Sequence, residues 1–338
     1  MTAARSAAAG VLGRLLGGAI ALLCVVGIVR LLVVARRALP DEALDPAGPG
    51  SVRSPPAAGP GEGMLVLPDS LRGRSGALRF AALTAAEAQA VPGLLKLFGD
   101  SILSRPTVLQ VATATDSFAL IIMRPFADKR GESVGRYRLG WWPAERWMMA
   151  SNYFNPDGFI EVSPAHVDLP LSTHLRLGDF LTPDQQDVWP KYAVLEERLV
   201  DKLELVMAEL RQKGVAARRV VVLSGFRAPY YNDLRIDEGA ARASRHQYGD
   251  AADILIDGDG DGRMDDLNGD RRHDLRDVRI VSDAVASVER RFPDLVGGLG
   301  TYAAMGPSGP FAHVDVRGTS ARWENTTRKE QGGRGKEP

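Results

Sequence analysis

The chain has 338 residues and balances 42 Lys and Arg against 42 Asp and Glu, a formal net charge of +0, which argues against the strongly basic surface of a nucleic-acid-binding protein. Hydrophobic residues at 45% and charged residues at 25% are those of an ordinary globular chain. With a single cysteine, Cys24, there is no intrachain disulfide and no zinc site built on cysteines.

In chain order, residues 1–38 predict one N-terminal transmembrane anchor. The stretch Leu15 to Val29 is apolar and uncharged, Arg30 interrupts it, and Leu31 to Ala35 continue it. It reaches the roughly 20 residues of a span if Arg14 or Arg30 snorkels to an interface. A cleaved signal peptide is the alternative, since "VVA" before Arg36 only loosely matches a cleavage site. Arginines flank both ends, so charge does not set the orientation. Residues 39–62 are rich in Pro, Gly and Ala and read as a linker.

Residues 63–165 predict a small β-rich domain. The runs "ALRFAAL", "TVLQVAT", "SFALIIM" and "GRYRLGWW" are strand-like, with one helical stretch at "TAAEAQAVPGLLKLFG". Tyr137, Leu139 and Trp141 share a strand face, which is read as core. Residues 166–324 predict an α+β domain, an antiparallel sheet flanked by helices. Its first amphipathic helix runs from Tyr192 to a stop at Gly214, and its second carries Val281, Val285, Val288 and Phe292 on one side. Strands are expected at "RRVVVLSGFR", "AADILID" and "PFAHVDVRG". Residues 325–338, "NTTRKEQGGRGKEP", read as a disordered tail.

Three segments of this domain carry candidate chemistry. In "FAHVDV" the alternation puts Phe311, His313 and Asp315 on one face and Ala312, Val314 and Val316 on the core face. In "AADILI" Asp253 sits early in an apolar strand, where an unpaired carboxylate is costly. His246 lies just before it, across a turn kept thin by Gly249, Ala251 and Ala252. His246, Asp253 and His313 make a His/Asp/His set suited to a zinc ion with one open position. Arg227, at the end of the neighbouring strand, either braces a substrate oxygen or pairs with an acidic residue.

"SRHQYGDAAD", Ser244 to Asp253, resembles the S-x-H-x-x-G-x-A-x-D motif of the D-alanyl-D-alanine carboxypeptidase and Hedgehog-type zinc metallopeptidases. "SGFRAPYYN" is similar to that family's segment around Arg227. Gly298, Gly300, Tyr302, His313, Asp315, Arg322 and Trp323 match the end of its YcbK-like bacterial periplasmic branch, so that the resemblance covers about residues 170–324. It implies zinc on His246, Asp253 and His313, substrate or oxyanion contact by Arg227, and substrate contact by Ser244. The implied activity is hydrolysis of amide bonds in peptidoglycan peptides by a membrane-anchored enzyme facing the periplasm. One departure stands out. The family's acidic residue or histidine before the last zinc histidine is replaced here by Pro310 and Phe311. Asp315 is then either the general base or a carboxylate that orients His313 or pairs with Arg317. Without a base, the expectation becomes a zinc-containing module that binds wall peptides or regulates, with little turnover.

An Asp-rich insert spans 257–277. Asp257, Asp259, Asp261 and Asp265 follow the opening of a calcium loop, with Gly262 at its sharp turn, but Asn268 stands where a bidentate Glu is wanted. A second register runs through Asp266, Asn268, Asp270, Asp274 and Asp277, with Arg271 at the glycine position. Carboxylates at this density repel without a cation, which favours structural calcium. His273 is expected on the surface, and His166 and His174 are given no metal role.

Overall fold

The computed structural model describes residues 52–53, 69–112, 117–147, 153–303 and 306–326. The expected anchor over 1–38, most of the linker and the tail beyond residue 326 lie outside the described residues. Among those described, no helix is long and apolar enough to cross a membrane.

The fold is α+β. Strands β1 (Val52–Arg53), β2 (Phe80–Leu83), β3 (Thr107–Ala112) and β4 (Ser117–Ile122) form a sheet in the order β1-β3-β4-β2, antiparallel at its centre and parallel at both edges. β1 comes from the segment expected to be linker. "SFALII" in β4 reads as a continuous apolar run because both faces of the sheet are covered. Phe118, Leu120 and Ile122 pack with Leu94 and Leu97, while Ala119 and Ile121 join the main core with Leu199 and Leu203. That main core therefore runs across position 165, from Leu78 to Val316. The expected single helix over residues 84–99 is two, α1 (Ala85–Ala90) and α2 (Leu94–Phe98). Pro92 and Gly93 divide them, and Gly93 takes a left-handed φ of 79°.

A third core, with Tyr137, Trp142, Phe159, Tyr192, Phe226 and Tyr248, lies between the small sheets and the candidate site. Strands β5 (Arg124–Pro125), β8 (Gly158–Val162) and β9 (Lys191–Ala193) form an antiparallel sheet, and β6 (Ser133–Val134) pairs with β7 (Tyr137–Arg138). Tyr137 and Leu139 are buried as expected, but the buried indole is Trp142, not Trp141. The strand ends at Arg138, and the chain turns into α3 (Pro143–Arg146). Trp142 then donates its indole N–H to the Gln247 carbonyl at 2.8 Å, beside the candidate site. Trp141 is half-buried under the Lys129 ammonium, 4.3 Å from its ring centroid.

The main sheet runs β10 (Val220–Ser224), β11 (Ala251–Ile256), β13 (Phe311–Asp315), β12 (Gly298–Tyr302), β14 (Ala321–Asn325); only β12 and β14 are parallel. Helices α4 (Glu197–Gln212) and α6 (Leu275–Arg291) bury their apolar stripes with Ala312 and Val314 from β13 and Val316 just after it. A short helix α5 (Pro229–Leu234) follows β10. α4 begins five residues later than its periodicity predicts. Tyr192 and Ala193 pair with β8 instead, Ala193 opposite Ile160, so a β-ladder takes the first turn away from the helix.

Candidate metal centre

The register of the main sheet builds the site. Asp253 of β11 lies directly opposite His313 of β13, on the face away from the α4 and α6 core. His246 comes from a single 3-10 turn, Arg245–Tyr248, just ahead of β11. That turn closes through Gly249, whose φ is 65° and whose missing Cβ would lie 2.0 Å from the Val194 carbonyl oxygen. Gly300, opposite His313 on the other side, leaves room for Trp323; a Cβ there would sit 2.3 Å from the indole. Trp323 in turn packs on His313, ring centroids 5.1 Å apart.

Each donor is aimed by a partner. His246 Nδ1 lies 2.8 Å from the Gly225 carbonyl and donates to it, which leaves Nε2 with its lone pair. His313 Nε2 lies 3.1 Å from Asp315 Oδ2, which frees Nδ1. Arg227 Nη2 donates to Asp253 Oδ2 at 2.6 Å and leaves Oδ1 turned towards the histidines. The three remaining atoms converge: His246 Nε2 to His313 Nδ1 is 3.2 Å, His313 Nδ1 to Asp253 Oδ1 is 2.9 Å, and His246 Nε2 to Asp253 Oδ1 is 3.3 Å. Ligands at ~2.0–2.1 Å from a tetrahedral ion stand about 3.3–3.4 Å apart. All three side chains are buried. Burial pushes His246 down and would raise Asp253, but the two histidines hold Asp253 well below the usual carboxylate range. Burial also disfavours charge on His313, yet its hydrogen bonds to Asp253 and Asp315 raise it. The His246–Asp253–His313 group can hold a metal ion.

Asp315 sits behind His313, not beside the convergence point. Its Oδ1 accepts from the Gly298 N–H at 2.6 Å and from Arg317 N and Nε at 3.1 and 3.0 Å, and its Oδ2 takes His313 and Arg317 Nη2. Burial would raise it, but His313 and Arg317 hold it far below the carboxylate range. A carboxylate so engaged fits the orienting role and has no lone pair directed at a water on the metal side. Gly297 and Gly298 make room for it: added Cβ atoms would lie 1.9 Å from the Asp315 carbonyl and 2.3 Å from its carboxylate.

A buried network behind this strand escapes a sequence reading. Lys202 on α4 is fully buried and donates to the Asp315 carbonyl and to Glu289 Oε1, both at 2.7 Å. Glu289 also accepts from the Gly297 N–H at 3.1 Å and pairs with Arg322. The available signal was a lysine three residues after Leu199 and four before Val206, inside the apolar stripe.

The centre opens into a cleft of about 900 Å³. Ser244, buried at the start of the His246 turn, lines it, as do Arg227 and Tyr231. Phe311 stacks on Tyr302 with ring centroids 4.6 Å apart, and Trp323 Nε1 donates to the Tyr302 hydroxyl at 2.9 Å. Phe311 is thus part of an aromatic wall with Tyr302 and Trp323.

In the Asp-rich insert, Asp257, Asp259 and Asp265 come together, and Asp261 is not in that group. These carboxylates already serve the loop. Asp257 accepts from the Gly260 and Gly262 N–H groups at 2.6 and 3.1 Å, Asp265 from Gly258 at 2.7 Å, and Asp261 from Arg263 at 2.8 Å. In the second register Arg271 adopts the left-handed φ, 65°, that glycine usually supplies, and fully buried Asp277 accepts from the Leu267, Asn268 and Asp274 N–H groups. His273 is exposed, as expected, and donates to the Met264 carbonyl at 2.6 Å.

No protein-family model matches the chain, and neither the curated proteins nor the solved structures gave a match.

Proposed function

We propose that the chain is a zinc-dependent peptidase acting on amide bonds of peptidoglycan peptides, its globular part carried outside the inner membrane by the N-terminal segment. The observation that carries this reading is the convergence of His246 Nε2, His313 Nδ1 and Asp253 Oδ1 within 2.9–3.3 Å of one another, each oriented by a separate hydrogen bond, at the floor of an open cleft. Bound there, zinc supplies a Lewis acid for the amide carbonyl and a water of lowered pKa. The chain's own residues do the rest. Gly225, Asp315 and Arg227 lock the donors. The Arg227 guanidinium, which keeps Nε on the Ser224 hydroxyl at 2.7 Å and Nη2 on Asp253, lines the cleft and would offer a positive charge to an oxygen bound at the centre. Tyr302, Phe311 and Trp323 form an aromatic wall on one side of the cleft.

A second reading is a zinc-containing module that binds wall peptides with little turnover. Pro310 and Phe311 favour it, together with the engagement of Asp315. The carboxylates lining the cleft are Asp253 and Glu238, and Glu238 is held by Arg235 at 3.0 Å. Incubating the zinc-loaded protein with a muropeptide digest, beside His246→Ala, separates the readings by mass spectrometry. Zinc-dependent mass loss absent from the variant establishes the peptidase and names the bond. One equivalent of zinc bound with no product establishes the module.

A further inference from the structure

A second cavity, of about 510 Å³, adjoins the metal cleft. Its size falls within the ~300–1,000 Å³ of small-molecule sites. Arg245 and Arg317 line both spaces, so the two meet at this pair of side chains. It lies where the N-terminal sheet meets the metal domain: Met123 follows β4, Glu196 and Glu197 open α4, and Val316 follows β13.

Its charge is one-sided once internal pairs are removed. Arg245 places Nε and Nη2 on Asp250, and Arg317 places Nε and Nη2 on Asp315. Asp157, Glu196 and Glu197 then face one further guanidinium, that of Arg198, which reaches Glu196 only at 3.8 Å. Two polar groups in this wall have capacity to spare. The buried Tyr248 hydroxyl has no hydrogen-bond partner among the described residues. Glu197 accepts the Ala82 N–H on Oε1 at 2.6 Å, with no bond to Oε2 among the described residues. A carboxylate-rich cavity with an unused hydroxyl is complementary to an ammonium group with several N–H donors.

We propose that this cavity is a subsite of the metal cleft that receives an ammonium-bearing side chain of a peptide, a lysine or another diamino acid, held by Glu196 and Glu197. The proposal rests on the reading of the cleft as a peptide site. The Arg245–Arg317 pair marks the passage between them, so the recognised residue lies along the peptide from the one at the metal. It assigns the junction of the N-terminal sheet with the main sheet a role in selecting substrate by charge.

Two synthetic peptides ending in D-alanyl-D-alanine, with lysine or its uncharged isostere norleucine at the preceding position, test this with the zinc-loaded protein at pH 8. Calorimetry is expected to show the lysyl peptide binding at least about 10-fold more tightly, a preference that weakens with salt. The double variant Glu196→Gln, Glu197→Gln is expected to bring the two peptides within about 2-fold while zinc stoichiometry is retained and the thermal midpoint is not lowered. Equal binding by the parent protein, no binding of either peptide, or a preference that survives in the double variant each overturns the subsite. Cleavage of the norleucyl peptide in the same samples reports on the metal centre separately, so the subsite can fail while the peptidase stands.

Discussion

Two regions of this molecule gather acidic and imidazole ligands, and they differ in what their lone pairs already do. In the Asp-rich insert the carboxylates accept backbone N–H groups of their own loop: Asp257 from Gly260 and Gly262, Asp265 from Gly258, Asp277 from Leu267 and Asn268. At the His246–Asp253–His313 centre the neighbours take the outer atoms and leave three inner ones facing each other in a buried space. Ligand type and spacing are similar signals in both. What separates them is the direction of the unsatisfied acceptors, which only the folded structure shows.

The sharpest break of this comparison is removal of a donor. His246→Ala and His313→Ala are each expected to lower zinc affinity by at least about 100-fold in a chelator competition, while Asp259→Asn leaves it within about 2-fold. Stripping zinc should lower the thermal midpoint by more than calcium addition raises it. If calcium shifts the midpoint more than zinc does, the contrast between the regions is reversed.

Next in size is the buried network behind His313. Lys202→Met leaves Glu289 with its N–H and arginine partners but without its ammonium, and removes a donor from the Asp315 carbonyl. Breaking one side of a buried pair is expected to destabilise by about 3–5 kcal/mol, read by chemical denaturation. The double variant Lys202→Met, Glu289→Leu should recover part of the loss, since no uncompensated charge remains. Asp315→Asn acts more locally. It keeps the shape but weakens the acceptor for His313 Nε2, and is expected to reduce zinc affinity about 10–100-fold with little change in stoichiometry. An unchanged zinc affinity with lost turnover would restore Asp315 as the general base.

How far the sequence revealed this arrangement depends on the range of each interaction. The alternation in "FAHVDV" separates Ala312, Val314 and Val316 from His313 and Asp315 because strand periodicity is local, and the structure keeps that division. The meeting of His246, Asp253 and His313 was legible from spacing and resemblance together. The start of α4 was not, because pairing of Ala193 with Ile160 is a long-range contact that overrides helical periodicity at Tyr192. The role of Asp315 was equally hidden. Which lone pairs of a carboxylate remain free depends on Gly298 and Arg317, and the close approach of Gly298 is a tertiary event. Lys202 shows the same limit: its place in the stripe was visible, its partners Glu289 and Asp315 were not.

The smallest expected effect carries the comparison to a third carboxylate. Asp253 is buried among cationic and imidazole partners and is held low; Glu197 is half-buried, accepts the Ala82 N–H, lies near Glu196 and Glu87, and is pushed up from 4.5 to about 7. Burial is the larger cause, and like charge adds to it. The sign follows from linkage. Below pH 4.5 the group is protonated in folded and unfolded chains alike and destabilises nothing. As pH rises towards 7 the unfolded chain ionises first, so stability falls, and above 7 the loss is constant. Discounted for its partial exposure, the loss is about 1–2 kcal/mol. Glu197→Gln keeps an acceptor for Ala82 and removes the titration. Its denaturation midpoint should match the parent near pH 4 and exceed it at pH 8. A gap of the same size at both pH values would assign the effect to packing and leave Glu197 ionised like Asp253. A carboxylate's state in this protein is then set by what surrounds it: Asp253, buried but answered by His246 and His313, stays ionised, and Glu197, buried with no cation to answer it and with acids nearby, ionises only near pH 7.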